Sequence, residues 1–231
     1  MSASDELVFL LDVDNTLLDN DRVTADLRQH LIEEFGEQCA KRYWVLFEAL
    51  RAELGYADYL GALQRYREDV MNDPRLLQMS SFLLEYPFAD RLYPSVLEVL
   101  AYLEQHGRTV ILSDGDVVFQ PRKIQRSGLW NAVDGRVLVY IHKEKTMDKI
   151  IARYPAKHYV MVDDKLRILA AMKSVLGDRL TTVFPRQGHY ALNPDNTQSY
   201  PAADITIEHI GDLVNTDISL LTRSASAGAH S

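Results

Sequence analysis

Cysteine is nearly absent from this chain. Cys39 is the only one in 231 residues, which excludes an intramolecular disulfide and any all-cysteine metal site; it falls in a helical pattern, as a small packed side chain. Long apolar runs are missing as well. None reaches the length of a membrane span, and the first six residues carry neither the basic segment nor the apolar stretch of a secretory leader. A cytoplasmic protein without membrane association is therefore expected. Basic blocks are also lacking in a chain of net charge −8, so nucleic acid and anionic membranes are not expected as main partners. There is no internal repeat and no heptad array. The composition that remains, 47% hydrophobic and 25% charged, suits a globular protein of one large domain or a core with a smaller insertion.

What the chain does have is an apolar run, Leu7-Val8-Phe9-Leu10-Leu11, that stops at Asp12 and Asp14. Such a run reads as a buried parallel strand whose C-terminal end opens into a loop, the end at which ligands bind in α/β sheets. A long helical stretch follows. Thr24 reads as the N-cap of a helix carrying Leu27, Leu31 and Phe35 and closed by Gly36; a second helix covers 38–54 and a third 58–71. Asp73 and Pro74 suit a cap and first turn for a fourth, which ends by Pro87. Three or four helices without an intervening strand predict a helical unit inserted after the first strand.

From Tyr93 the pattern alternates. Strands are expected over 108–113, 136–141, 159–163, 180–184 and 204–207, separated by helices over 94–107, 121–127, 146–153 and 168–176. This predicts an α/β fold with a Rossmann-like parallel sheet core and an inserted all-α cap. The expected division is residues 1–18 plus 90–222 for the core and 19–89 for the cap. Residues 185–203 read as a long irregular loop, and residues 223–231 have the composition of a disordered tail.

Four of these strand ends carry polar groups. Asp12 and Asp14 repel each other unless a proton or cation lies between them, and because side chains alternate along a strand they share a site only if the chain turns at Asp14. Such a pair can supply a nucleophile, an acid/base group and a seat for a hard cation such as Mg²⁺. Ser113, followed by Asp114 and Gly115, can aim its hydroxyl and unhindered backbone N–H groups at an anion. Lys143 and Lys145 precede a helix that Thr146 can cap; a lysine here can neutralise the nucleophile and hold a transferring phosphoryl group. Asp163 and Asp164, adjacent acids after an apolar strand, are placed to complete a Mg²⁺ site.

In these residues the chain resembles the haloacid dehalogenase-like superfamily. Asp12-Val13-Asp14-Asn15-Thr16 is similar to its first motif, Ser113 to its second, Lys143 to its third, and Asp163-Asp164 to its fourth; Leu92-Tyr93-Pro94 and Ser127-Gly128-Leu129 also resemble the group. The helical insertion is similar to the mobile cap of subfamily I. The resemblance implies a phosphoryl transfer in which Asp12 is the nucleophile and Asp14 the acid and then the base, its backbone carbonyl helping Asp12 and Asp163 to hold Mg²⁺. Ser113 and Lys143 would hold the phosphoryl oxygens, with Thr16, Asp114, Gly115, Asp164 and Lys145 in support. The family's usual proline after the motif lysine is Glu144 here; Lys143, nearer the strand end, is preferred over Lys145. Ile168 stands where longer versions of the fourth motif have a second acid.

The resemblance also implies a branch. The family's dehalogenases and phosphonate-cleaving members lack the acid at the position of Asp14, so a Mg²⁺-dependent phosphatase of small phosphomonoesters is expected. A phosphomutase or phosphotransferase is the alternative, ahead of a 2-haloacid dehalogenase or a non-catalytic binding protein. Substrate contacts are sought among Arg42, Arg51, Arg65, Arg67, Tyr43, Tyr59 and Tyr66 of the cap and the loop from Arg186 to Tyr190. The partner expected is a small phosphorylated metabolite, met by a monomer or homodimer.

Overall fold

The computed structural model describes residues 6–69 and 73–222. The tail expected over 223–231 and the end of the third expected helix lie outside the described residues. Six strands form one sheet: β1 (Leu7–Leu11), β2 (Arg108–Asp114), β3 (Val137–Tyr140), β4 (His158–Val162), β5 (Leu180–Pro185) and β6 (Ile205–Ile207). All neighbours pair in parallel, in the order β3-β2-β1-β4-β5-β6. This is a Rossmann-like α/β fold. The order reverses direction around β1, which places the binding crevice of such a sheet at that strand's C-terminal end.

β1 is buried along its whole length because helices cover both faces. Val8 and Leu10 enter one core with Val110, Leu112 and Met161, closed by α8 (Met147–Arg153) and α9 (Leu166–Leu176) through Ile150, Leu169 and Met172. Phe9 and Leu11 enter the other, against Val99 and Leu103 of α5 (Val96–Glu104) and Ile124 of α6 (Phe119–Arg126), with α7 (Leu129–Ala132) alongside. A strand buried on both faces reads as a continuous apolar run.

Between β1 and β2 the chain forms α1 (Asn20–Phe35), α2 (Glu37–Leu54), α3 (Tyr59–Asp69) and α4 (Arg75–Glu85). Their apolar faces are continuous with the second core. Rings carry the contact: Phe47 lies 4.8 Å from Tyr59, Tyr59 lies 5.2 Å from Phe119, and Phe119 lies 5.8 Å from Phe88. The two chain segments joining this helical layer to the sheet bond to each other: Asp19 N–H donates to Arg91 C=O at 2.8 Å, and Tyr93 N–H to Leu17 C=O at 3.0 Å.

Three expectations are corrected. α1 starts at Asn20, because Asp19 rather than Thr24 is its cap: Asp19 Oδ1 accepts from Arg22 N–H at 2.9 Å, while the Thr24 hydroxyl lies 3.0 Å from that of Tyr59. α6 likewise begins at Phe119, whose N–H donates to Asp116 Oδ1 at 2.7 Å. Residues 185–203 are not wholly irregular: they hold α10 (Gly188–Leu192) and α11 (Pro194–Gln198), the latter started by an Asn193 side chain that accepts from Asp195 N–H. A short α12 (Ile218–Leu221) follows β6. No helix among the described residues is long and apolar enough to cross a membrane.

Asp204 fastens β6. Its Oδ2 accepts from Thr182 N–H at 2.8 Å, Thr182 Oγ1 at 2.9 Å and Lys173 Nζ at 2.8 Å. Burial opposes the charge, but these donors outweigh it and hold the carboxyl below the ordinary aspartate value. A depressed folded-state value contributes stability that is complete above 3.8 and is lost as pH falls through the lower folded value. Asp204→Asn is expected to cost about 1–2 kcal/mol near neutral pH. The deficit, measured by denaturant unfolding, is expected to narrow when the titration is repeated below the ordinary aspartate value.

Candidate active site

Past the end of β1 the ladder continues for one residue, Asp12 N–H donating to Val162 C=O at 3.0 Å, and then the chain turns sharply. Val13 C=O accepts from both Leu17 and Leu18 N–H at 2.9 Å, and Asn15 takes a left-handed φ of 62°, a conformation asparagine tolerates. This turn lets Asp12 and Asp14 serve neighbouring regions. Asp12 is buried at 3% exposure, whereas the Asp14 side chain is 24% exposed and lines a cavity.

Four strand ends meet at Asp12. Its Oδ1 accepts from Lys143 Nζ and its Oδ2 from Thr16 Oγ1 at 3.3 Å. Lys143 Nζ also lies 2.7 Å from Asp163 Oδ2 and donates to Leu112 C=O at 3.2 Å. Thr16 Oγ1 in turn accepts from Asp164 N–H at 3.1 Å, so it ties the first loop to the end of β4. Lys143 is buried in a 3₁₀ turn (Lys143–Lys145) after His142, whose φ is 59°; Lys145, two residues on, faces outward. Of the two candidate lysines, Lys143 is the one the structure brings to the carboxylates. Asp114 Oδ1 holds the same turn by accepting from Lys143 N–H at 2.7 Å.

Ser113 is buried, and its Oγ accepts from Gln120 Nε2 at 2.9 Å. The same Nε2 lies 3.3 Å from Asp14 Oδ2, and Lys123 Nζ lies 2.7 Å from Asp14 Oδ1. Gly115 permits this approach, since a Cβ there would fall 2.6 Å from that of Gln120. Gln120 and Lys123 were not anticipated. The available signal is spacing alone: Phe119, Gln120, Lys123 and Ile124 share the buried face of α6, and a lysine inside an apolar stripe is buried only with a partner.

The charges do not balance. Asp12, Asp14, Asp114, Asp163 and Asp164 supply five carboxylates, against the three ammonium groups of Lys123, Lys143 and Lys165. Burial opposes the charge of Lys143, but Asp12, Asp163 and Asp114 outweigh it and hold its ammonium above the ordinary lysine value. Burial pushes Asp163 up, with Lys143 offsetting only part, and pushes Asp164 well above the aspartate range despite Lys165. Neither Asp164 carboxyl oxygen has a hydrogen-bond donor, although both are buried; Lys165 Nζ is 3.7 Å from the nearer.

Asp12, Asp163 and Asp164 each place a carboxylate oxygen within 4.8 Å of the others. An all-oxygen, anionic donor set with orphaned buried oxygens fits a hard divalent cation. In the expected set Asp14 contributes its carbonyl; its carboxylate is turned to Lys123 and Gln120, and the third clustered carboxylate is that of Asp164. Glu144 is buried, and Arg167 Nη1 donates to its Oε1 at 2.8 Å. Burial works against that charge, but Arg167 outweighs it and keeps the carboxyl low. Ile168 is buried in α9.

A cavity of about 670 Å³ lies between these strand ends and the helical layer. Its floor includes Asp14, Asp114 and Gln120; Arg28, Trp44, Phe47, Arg51 and Tyr59 of α1 to α3 form the opposite wall, and His189 and Tyr190 a side. Of the cap residues singled out, Arg51 and Tyr59 line it. Tyr43 and Tyr66 are buried core residues, and Arg65 is paired with Glu53 at 2.7 Å. The 186–190 segment does reach the site. His189 Nδ1 lies 2.5 Å from Asp21 Oδ1, and the Tyr190 ring receives Lys165 at 5.0 Å and Arg51 at 5.6 Å.

Comparison with known proteins identifies the family and the fold. A family profile described as haloacid dehalogenase-like hydrolase matches residues 7–175. The crystal structure of a haloacid dehalogenase-like hydrolase from Burkholderia xenovorans is 66% identical with a TM-score of 0.89, over 94% of this chain and 98% of that one. A hydrolase of the same group from Bacillus subtilis, solved bound to magnesium, is 14% identical with a TM-score of 0.60, over 91% and 97% of the chains. An L-2-haloacid dehalogenase is 16% identical with a TM-score of 0.64, over 91% and 98%. These last two share the fold. No curated protein matched the chain.

The orphaned carboxylate of Asp164 generates a prediction. Asp164→Asn replaces a buried carboxyl whose oxygens have no hydrogen-bond donor and is expected to raise stability in chelator by about 1–2 kcal/mol. The same variant is expected to gain less than the native chain when Mg²⁺ is added, because a cation ligand is lost. Thermal unfolding of both proteins, with chelator and with Mg²⁺, checks both halves.

Proposed function

The chain belongs to the haloacid dehalogenase-like hydrolase family, and from that premise we propose that it is a Mg²⁺-dependent phosphatase of small phosphomonoesters. The observation that carries this reading is the Asp14 carboxylate, two residues past Asp12 and open to the cavity. An alkoxide leaving group needs a proton and a halide does not. An acid at this point therefore favours an ester over a haloacid, although L-2-haloacid dehalogenases are among the proteins that share the fold.

In this reading a carboxylate oxygen of Asp12 attacks phosphorus, and the bond from phosphorus to the ester oxygen breaks as that oxygen takes a proton from Asp14. Water then attacks the phosphorus of the aspartyl phosphate and gives a proton to Asp14; the bond to Asp12 breaks, and inorganic phosphate leaves. Lys143 and Ser113 hold the phosphoryl oxygens, the first by charge and the second by its hydroxyl. A divalent cation held by the Asp12, Asp163 and Asp164 carboxylates and the Asp14 carbonyl would offset charge on the transferring group.

The helical layer acts as the cap, covering the substrate and setting its identity. A cavity of about 670 Å³ walled on one side by the helical layer suits a small metabolite better than a folded phosphoprotein. A phosphotransferase would use the same residues with another acceptor in place of water; phosphate release that needs no added acceptor separates the two.

Two outcomes are expected. Phosphate release from a panel of small esters requires Mg²⁺, and Asp12→Asn abolishes it, with no covalent phosphoenzyme trapped and an unchanged circular dichroism spectrum. Asp14→Asn slows turnover of alkyl esters by about 10²–10⁴-fold and that of activated aryl esters far less. Equal losses on the two ester classes would remove the acid role.

A further inference from the structure

Lys123 is the fully buried lysine of α6, with 0% of its side chain exposed. An ammonium in that position is stable only when its protons are taken up. One meets Asp14 Oδ1 at 2.7 Å and another Asn20 Oδ1 at 3.0 Å, and the charge also lies 5.2 Å from the Phe119 ring and 6.0 Å from that of Tyr59. Asn20 is itself fixed, its Nδ2 lying 3.4 Å from Tyr59 Oη. Lys123 is thus held by α1 and α3 while it holds Asp14.

The two oxygens of Asp14 are unequally restrained. Oδ1 has the short ion pair with Lys123; Oδ2 has a 3.3 Å contact with Gln120 Nε2, which makes its shorter bond, 2.9 Å, to Ser113 Oγ. Asp14 lines the cavity and Lys123 does not. We propose that Lys123 is a positioning residue that grips Asp14 by Oδ1 throughout turnover, so that Oδ2, the loosely held oxygen, is the one that meets the leaving group. This deepens the phosphatase reading and rests on it. Lys123 touches no substrate; it keeps the carboxylate from rotating out of reach of the ester oxygen.

The test compares the native chain, Asp14→Asn, Lys123→Met and Lys123→Arg on nitrophenyl phosphate and on a simple alkyl phosphate. A misplaced acid matters only where the leaving group needs a proton. Lys123→Met is expected to lower kcat on the alkyl ester by about 10–100-fold, with a much smaller loss on the aryl ester and little change in KM; Lys123→Arg recovers part of the alkyl activity. Equal losses on both esters, or none, overturn the proposal.

If Lys123→Met does not fold, Asn20→Ala keeps the ammonium and removes one of its anchors. It is expected to shift the alkyl-to-aryl ratio in the same direction, and an unchanged ratio overturns the inference. A crystal structure of a folded Lys123 variant gives a readout independent of turnover: Asp14 is expected to leave its place beside Gln120, and an Asp14 that stays put overturns the proposal. Should the native chain release phosphate from no ester, the phosphatase reading fails, and that crystal structure still decides whether Lys123 positions Asp14.

Discussion

The rest of the structure depends on one electrostatic constraint: five carboxylates converge on the C-terminal end of β1 and its neighbours, most of them out of water. Buried like charges are tolerated only when opposite charge is brought to them. Three lysines from three different places do this. Lys143 comes from the turn after β3, Lys123 from α6 and Lys165 from the end of β4, and each is aligned with a different part of the cluster. The clustered oxygens of Asp12, Asp163 and Asp164, those of Asp164 without a hydrogen-bond donor, are the physical reason that a divalent cation fits.

The sheet makes this convergence possible. Placing β1 between β2 and β4 brings Asp12 beside the ends of both, and the ladder bonds of Asp12 and Asp163 to Val162 and Val183 carry the register one residue past the strands. Turns then divide the roles. The chain takes a left-handed turn at Asn15, directly after Asp14, and another at His142, directly before Lys143. The helical layer adds a wall to the cavity and, through Asn20 and Tyr59, a support for Lys123.

The sheet, its helical insertion and the polar strand ends were legible because the strands are short, largely apolar runs and four of their ends are followed by charged or hydroxyl residues. Lys143 and Lys145 share one polar turn, and nearness to the strand end already favours Lys143, the one that is buried. What escaped were matters of long-range contact and of where the chain turns. Lys123 and Gln120 lie within an ordinary-looking helix, and their partners Asp14 and Ser113 are set by how α6 docks. Thr24 was a plausible cap on composition, but Asp19 is where the chain turns, and the Thr24 hydroxyl is taken by Tyr59. His189 meets Asp21 across 168 residues, a distance that no local pattern spans.

The register of β1 carries a consequence for biosynthesis. Val8 pairs with Arg108 on one side and Leu7 with His158 on the other, so this apolar segment has no partner strand until β2 has been made, about a hundred residues later, and lacks its second until β4 follows. Contacts of that sequence separation form late and slowly. The helices of residues 20–85 are complete well before then, and their local contacts form at short range. A nascent chain of this protein thus carries formed helices beside a wholly apolar strand that is unpaired before β2 emerges and open on one edge until β4 does, which makes that interval the period in which it most needs protection from aggregation.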